Sequence, residues 1–422
     1  MSISNANKVL KMEENEGRIW DYDIVRGQYY LYNKDLGYWS KKKEEYLQAY
    51  VRKQLRSIHR DLDKKHNVTE TVSAIKHHLI SLDSKKKYNY NLKYINMKNG
   101  MLDWQSDKLH HHNASYYSFF QMNLEYDRNA ECPRWERALS EWLPDNKSRM
   151  FLQEYIGYCL IPDTSYHKAV ILLGEGKNGK STFLKVIERL FGEHILSNIP
   201  LHRISDRFET AYLQDKLINI CSDIDPKYLT NVGIIKTLIA GEKIRGEYKG
   251  GNSFDFKPIV RLLFSANEIP KSIDKSYAWY RRFEIVEFPN RFEDNCDPLL
   301  EEKLLAELPG IFNWALEGLI RLKGRKKFTI SNSMHNSMDE YQIENDSIKA
   351  FLGEITIDDE EGFIKVTDCY NKYKQYCKSG NLKIEKKALF GRRLSKLGYS
   401  SDIRYFNGKS HRCYIGLELV DA

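Results

Sequence analysis

Three things are missing from this 422-residue sequence, and each absence removes a class of protein. Its seven cysteines, at positions 132, 159, 221, 296, 369, 377 and 413, lie scattered. They form no C-x-x-C pair and no paired spacing of the kind that holds zinc, so they read as reduced thiols rather than a disulfide or metal framework. No apolar run approaches the ~20 residues a membrane span needs. Residues 1–16 are polar and carry charges of both signs, without the apolar centre of a secretory leader. A soluble, cytoplasmic protein with no membrane partner is the expectation. Charge is not one-sided either: 66 Lys and Arg against 58 Asp and Glu leave +8, which suits a polyanion partner without requiring one. The length allows about two to four domains.

What is present centres on residues 169–182. Ala169-Val170-Ile171-Leu172-Leu173 is an apolar run short enough for a buried strand, and an amphipathic segment follows from Phe183 to Leu190. Between them stands Gly174-Glu175-Gly176-Lys177-Asn178-Gly179-Lys180-Ser181-Thr182, which spells G-x-x-x-x-G-K-S. Glycines let backbone N–H groups close around a polyphosphate, and the helix N-terminus adds its positive end. Lys180 then reaches the β and γ phosphates of ATP, and Ser181 holds Mg²⁺.

Two further strand patterns follow. Leu217 to Asp225 ends in carboxylates, and Asp223, with Asp225 as second choice, is placed to hold the metal through water and to orient the attacking water. Ile259 to Asn267 ends in an amide instead. Asn267 both donates and accepts, so it suits sensing of the γ-phosphate. Arg281 and Arg282 precede the apolar run 285–288, and either guanidinium suits an arginine finger that reaches the nucleotide of a neighbouring copy. Between the second and third strands, a helix over 234–242 leads into a hairpin from Ile244 to Phe256. It presents Lys249, with Lys243, Arg245 and Tyr248 close by, to a phosphate backbone.

Upstream, 27–32 and 37–39 predict a hairpin, 42–65 an amphipathic helix with a basic face, 70–81 a second helix, and Asn99-Gly100 a turn between two short strands. Asp21-Tyr22-Asp23 has the form of a metal carboxylate pair, but that form is common. His110-His111-His112 reads as an exposed loop, because consecutive side chains do not converge on a metal. Residues 133–160 carry helical packing faces. After the polar stretch 331–346, a small C-terminal domain is expected. Val366, Tyr370, Tyr373 and Cys377 share one helix face, Phe390, Leu394 and Leu397 share another, and 403–415 forms a hairpin. That combination suggests a winged helix. Residues 381–412 hold nine Lys or Arg, Arg392, Arg393 and Lys396 among them, against two acids, a local charge of +7 that fits duplex DNA.

With phosphate loop, strand-end acid, basic hairpin, strand-end Asn and Arg pair in that order, the chain resembles a superfamily 3 helicase of the AAA+ class. More closely, it resembles the helicase part of phage and plasmid primases and of the poxvirus primase-helicase. The likeness includes 176–181, Asp206-Arg207-Phe208, Phe264-Ser265-Ala266-Asn267 with Pro270, and Arg281-Arg282 before Phe288-Pro289. Upstream it takes in 96–100, Tyr126-Asp127 and 132–135, and in all it covers roughly residues 25–420. It implies an α/β AAA+ core at 166–330, preceded by an α+β accessory domain at 1–130 and a helical collar at 131–165, and followed by the winged helix at 345–422. It also implies a homohexameric ring with ATP sites between subunits, hairpins holding single-stranded DNA in the channel, and movement 3′ to 5′. One departure is that many relatives carry Glu where this chain has Asp223. Another is that the residues before the phosphate loop are mostly claimed by the accessory domain, so primer synthesis is not expected and a separate primase or polymerase is an expected partner.

The function these features predict is an ATP-dependent replicative DNA helicase of a phage, plasmid or other mobile element, working in a bacterial or host-cell cytoplasm. Two rivals are a DNA-binding initiator that uses ATP as an assembly switch, and an RNA-directed translocase.

Overall fold

The computed structural model describes residues 2–24, 27–81, 91–292, 297–379, 382 and 384–419. Cys296 and Lys383 lie outside these. The chain divides into two units: the first takes Met1–Pro226, Asn231–Glu268 and Arg282–Met334, and the second Lys227–Thr230, Ile269–Arg281 and His335–Ala422.

The first unit begins with helix α1 (Ser2–Asn15), an antiparallel sheet of β1 (Arg18–Asp23), β2 (Gln28–Asn33) and β3 (Tyr38–Lys42), and helices α2 (Glu44–Ile58) and α3 (Lys65–Ser81). β2 is covered on both faces. Tyr29 and Leu31 pack with Trp20 against α2 and α3, while Tyr30 and Tyr32 pack with Trp39. Helix α1 had no sequence signal beyond polarity. It is held by Glu13, buried, which accepts from Arg18 Nε at 2.7 Å and Gln54 Nε2 at 2.9 Å. The helix expected over 42–65 stops at Ile58. His59 is extended, and its Nδ1 accepts from the Asp61 amide at 3.2 Å, a local bond that competes with helix continuation. Helix α3 accordingly starts at Lys65, five residues ahead of expectation.

A second antiparallel sheet follows, of β4 (Tyr94–Met97), β5 (Gly100–Asp103) and β6 (Lys108–His110). Met97 pairs with Gly100, so the turn is Lys98-Asn99 and the glycine opens the next strand. The histidine run is not an exposed loop throughout. His110 ends β6, and His112 is half-buried with Nε2 at 3.0 Å from Asn96 Oδ1 and 2.9 Å from the Met97 carbonyl.

Helices α4 (Pro133–Trp142) and α5 (Asn146–Cys159) lead to the central sheet. Its strands are β7 (Ala169–Leu173), β8 (Leu196–Ser197), β9 (Ile218–Cys221), β12 (Arg261–Ala266) and β13 (Phe283–Glu287), with α6 (Lys180–Phe191) following β7. The spatial order is β13-β7-β12-β9-β8 and every pairing is parallel. Helix α7 (Val232–Ile239) and the hairpin of β10 (Ile244–Glu247) and β11 (Ser253–Phe256) stand between β9 and β12 in sequence. The unit closes with α9 (Leu300–Leu305) and α10 (Leu308–Arg325); α8 (Tyr277–Tyr280) belongs to the second unit.

Helix α11 (Asn332–Asn345) begins in the first unit and continues from His335 in the second, which adds α12 (Ser347–Ile355), β14 (Thr356–Lys365), α13 (Val366–Ser379), α14 (Lys387–Lys396), β15 (Ser401–Phe406) and β16 (Lys409–Leu419). Its antiparallel sheet runs β14-β16-β15. The stretch 331–346, expected as a polar connection, is mostly helix α11. Its inward residues, Met334, Ser337, Tyr341 and Asn345, are largely polar or hydroxylated and so leave no apolar stripe. Helix α12 and strand β14 were also unanticipated. Leu397 caps α14 and is 40% exposed, so Phe390 and Leu394 alone carry that face into the core with Phe351, Cys369, Tyr373 and Leu417.

Helix α5 packs against α10 through glycine on both sides. A Cβ added at Gly157 would stand 2.3 Å from the Ala315 carbonyl oxygen, and one at Gly318 would stand 2.1 Å from the Gln153 carbonyl oxygen. Backbone meets backbone here, so nothing flexible can yield. Alanine normally improves a helix interior over glycine by about 1 kcal/mol, while overpacking costs roughly 1–3 kcal/mol. The crowding is expected to win: Gly318→Ala should lower the urea midpoint in equilibrium unfolding, despite its better helix propensity.

Candidate functional site

Parallel register brings three strand ends to one edge. Leu173 of β7 lies opposite Ala266 of β12, and Phe264 lies opposite Cys221 of β9. Gly174, Asn267 and the segment 222–225 therefore leave adjacent strands on the same side, where open parallel sheets bind their ligands. The Gly174 amide donates to the Ala266 carbonyl at 3.2 Å. The Asp223 amide donates to Ser265 Oγ at 3.2 Å, and the Ile224 amide to the Ser265 carbonyl at 2.9 Å. Ser265 itself is 1% exposed. Asp223 and Asn267 are exposed and Asp225 is half-buried.

The loop between β7 and α6 needs unusual backbone. Lys177 has φ +59° and Gly179 φ +91°. Gly179 also has no room for a side chain, since an added Cβ would stand 2.5 Å from the Trp142 ring. Glu175, Gly176 and Lys177 are exposed, Gly174 and Gly179 half-buried, and Asn178 buried. Ser181 and Thr182 open the first turn of α6, Ser181 exposed and Thr182 half-buried.

Lys180 is 3% exposed, with Nζ 2.5 Å from the Gly174 carbonyl oxygen and 3.2 Å from Asn178 Oδ1. Burial pushes its ammonium below the usual lysine range, and the Asp223 carboxylate opposes that shift. The lysine opens α6 after β7, and the acid follows β9. Asn178 entered the sequence reading as one of the ATP-binding loop residues 174–182, with no role of its own. In the structure it fastens the loop: Nδ2 donates to the Phe288 carbonyl at 3.3 Å, while Oδ1 accepts from both the amide (3.4 Å) and the ammonium of Lys180. The missed signal was a buried amide inside a glycine loop. Beside the loop opens a cleft of about 670 Å³ lined by Lys177, Gly179, Thr182, Trp142, Phe292 and Leu300, within the size range of small-molecule sites.

Arg282 is not at this edge. Its carbonyl accepts from the Ala169 amide at 2.7 Å, where β7 begins. That is roughly 13 Å along β7 from the glycine loop. Arg281 caps α8 in the second unit and is exposed.

The β10–β11 hairpin exposes Lys249 at its tip beside Gly250, which has φ +77°. Tyr248 stacks on Phe254 (5.4 Å, 29°), its hydroxyl donates to the Ala211 carbonyl at 3.2 Å, and burial pushes its phenol up. Lys243 pairs with Asp255 at 3.1 Å, and Arg245 donates to Ser253 Oγ across the hairpin. Arg207 holds the hairpin next to its turn, gripping Glu247, which pairs with Ser253, with Nε at 3.1 Å and a terminal nitrogen at 3.0 Å.

In the second unit Arg392 and Lys396 are exposed one turn apart on α14. Arg393 is different. It pairs with Asp346, which is 1% exposed, so this guanidinium anchors α14 instead of facing a ligand.

Family models match three segments: one described as D5 N terminal like over residues 10–144, a family of unknown function, DUF5906, over 172–282, and one described as Poxvirus D5 protein-like over 343–412. A candidate helicase of Invertebrate iridescent virus 3 is 21% identical, over 60% of this chain and 32% of its own length. A candidate helicase of Acanthamoeba polyphaga mimivirus is 23% identical, over 56% and 27%. The chain spans about a third or less of the length of these relatives. Among solved structures, the A form of the apo NrS-1 C-terminal region superposes with a TM-score of 0.59 at 13% identity, covering 97% of this chain and 98% of that one. Another apo structure of that region gives 0.56 at 14%, over 98% and 99%. The shared fold extends over nearly the whole chain, and no helix among the described residues is long and apolar enough to cross a membrane. Domain matches at both ends and the motif series between them place the chain among the relatives of the superfamily 3, D5-type primase-helicases.

Proposed function

We propose that the chain is an ATP-driven motor of DNA replication: an AAA+-type core that hydrolyses ATP between identical copies in a ring and draws single-stranded DNA through the channel.

 The ring is taken to be a hexamer, as the family resemblance implies. One observation carries this reading: a glycine loop with a buried lysine, an acid and an amide follow the ends of three adjacent strands at one edge of a parallel sheet. The residues fit the ligands. Backbone N–H groups of 174–181 and the start of α6 suit a triphosphate, and the neighbouring cleft has room for the nucleoside. The Ser181 hydroxyl and the Asp223 or Asp225 carboxylate are the hard oxygen donors Mg²⁺ takes, and the ion when bound neutralises phosphate charge. Asp223 or Asp225 would orient the attacking water, and Asn267 would hold it against the γ-phosphate. Arg282, at the far edge from its own loop, suits a neighbouring copy's nucleotide better than its own, and Arg281 is adjacent in sequence.

Two surfaces suit nucleic acid. The hairpin tip offers Lys249 with the aromatic Tyr248, and Arg207 braces the strand end just before the turn. The helix–strand–helix–helix–strand–strand order of residues 347–419 is that of a winged helix, and Arg392 and Lys396 are its exposed cations for duplex phosphates.

Lys180→Ala is expected to lower ATP turnover roughly 10²–10³-fold, as loss of a charge-stabilising donor does. Asn178→Ala should weaken nucleotide binding about tenfold, because it frees both the loop and its lysine; titration with a fluorescent ATP analogue reads this. Lys249→Ala should retain ATP turnover without DNA while losing strand displacement on a forked substrate. A wild-type chain that hydrolyses ATP yet displaces no strand would favour the assembly switch over the motor.

A further inference from the structure

The second unit includes two pieces drawn from the middle of the chain, Lys227–Thr230 and Ile269–Arg281. Their ends are informative. Lys227 comes two residues after Asp225, Ile269 two residues after Asn267, and the longer piece finishes at Arg281, next to Arg282. Every group assigned above to the γ-phosphate side of the reaction, apart from the loop lysine, lies close in sequence to a place where the chain passes from one unit to the other.

Inside the second unit these pieces are tightly held. The Leu229 amide donates to the Lys271 carbonyl at 2.8 Å, and the Ile273 amide to the Leu229 carbonyl at 3.0 Å. The last turns of α11 grip the longer piece. Asn345 Oδ1 accepts from the Ser272 amide at 2.7 Å, and its Nδ2 donates to the Tyr280 hydroxyl at 2.9 Å. The Tyr341 hydroxyl donates to the Pro270 carbonyl at 3.0 Å and accepts from Trp279 Nε1 at 3.3 Å. Tyr341, Asn345 and Trp279 are all buried. The next residue, Asp346, holds Arg393 of α14, the helix whose exposed side carries Arg392 and Lys396. A second tie joins Lys275 to Glu385, just ahead of α14, at 3.5 Å. One helix end therefore fastens the segment that begins beside Asn267 and finishes at Arg281, and also the helix offered to DNA.

We propose that Tyr341 and Asn345 are positioning residues, which make nucleic-acid binding on α14 and nucleotide binding at the sheet edge thermodynamically coupled through the segment 269–281. This rests on the nucleotide reading above. Coupling of this kind is reciprocal, so each ligand must change the affinity of the other by the same factor.

The test is duplex-DNA affinity of the full chain, measured with and without Mg²⁺ and a non-hydrolysable ATP analogue. In the wild type the analogue is expected to shift the DNA Kd by about fivefold or more. Asn345→Leu and Tyr341→Phe should reduce that shift to under about twofold while leaving the Kd of each ligand alone within about twofold. Asn345→Asp keeps the acceptor for the Ser272 amide and should restore most of the shift. A purely structural role would instead lower the melting temperature and leave the coupling intact. The inference is overturned if the wild type binds both ligands with no mutual effect, or if folded variants keep the full shift. Should Asn345→Leu fail to fold, Tyr341→Phe, which removes one oxygen, decides alone. A wild-type chain that binds no nucleotide would sink the nucleotide reading, and this inference with it.

Discussion

The parallel register of β7, β12 and β9 is the constraint from which the site follows. Leu173 opposite Ala266 and Phe264 opposite Cys221 fix how far each strand extends, and hence that Gly174, Asn267 and Asp223 emerge together. A slip of one residue would turn every side chain of a strand to the other face, and strands buried on both faces do not tolerate that readily. Ser265 secures the alignment from within, since it receives the amides of both Asp223 and Ile224.

The glycine loop holds Lys177 in left-handed backbone, a costly arrangement unless its surroundings hold it. Here the support comes from three directions. Asn178 ties the loop to the end of β13, the Phe292 amide donates to the Lys177 carbonyl at 2.9 Å, and Trp142 of α4 closes the space under Gly179. Trp142 stands in turn on Trp135, which stacks on Phe183 of α6. Glu154 does similar service lower down, buried on α5 and accepting from Arg321 Nε at 2.7 Å and the Thr329 amide at 2.7 Å.

The features legible in the sequence were those with a single local cause. Strands β7, β9 and β12 announced themselves as short apolar runs because both their faces are covered, and the hairpin at 244–256 because its turn needs glycine. Features that depend on distant partners were not legible. Helix α11 buries hydroxyls and amides against residues 270–280, so its sequence shows no stripe. The break at His59 rests on one side-chain bond. Arg393 was indistinguishable from Arg392 until Asp346, 47 residues away, was seen to hold it. The fastening role of Asn178 was not legible because its partner, the Phe288 carbonyl, is 110 residues distant. Site chemistry encoded by a contiguous motif survives reading from sequence, whereas the contacts that orient it come from the fold.

Most direct would be a structure of the assembled chain with Mg²⁺, a non-hydrolysable ATP analogue and single-stranded DNA. The account predicts the terminal phosphate beside Lys180 and Asn267 of one copy, with a guanidinium from Arg281 or Arg282 of its neighbour completing the site. A nucleotide bound away from this sheet edge, or a site completed wholly within one copy, would contradict it.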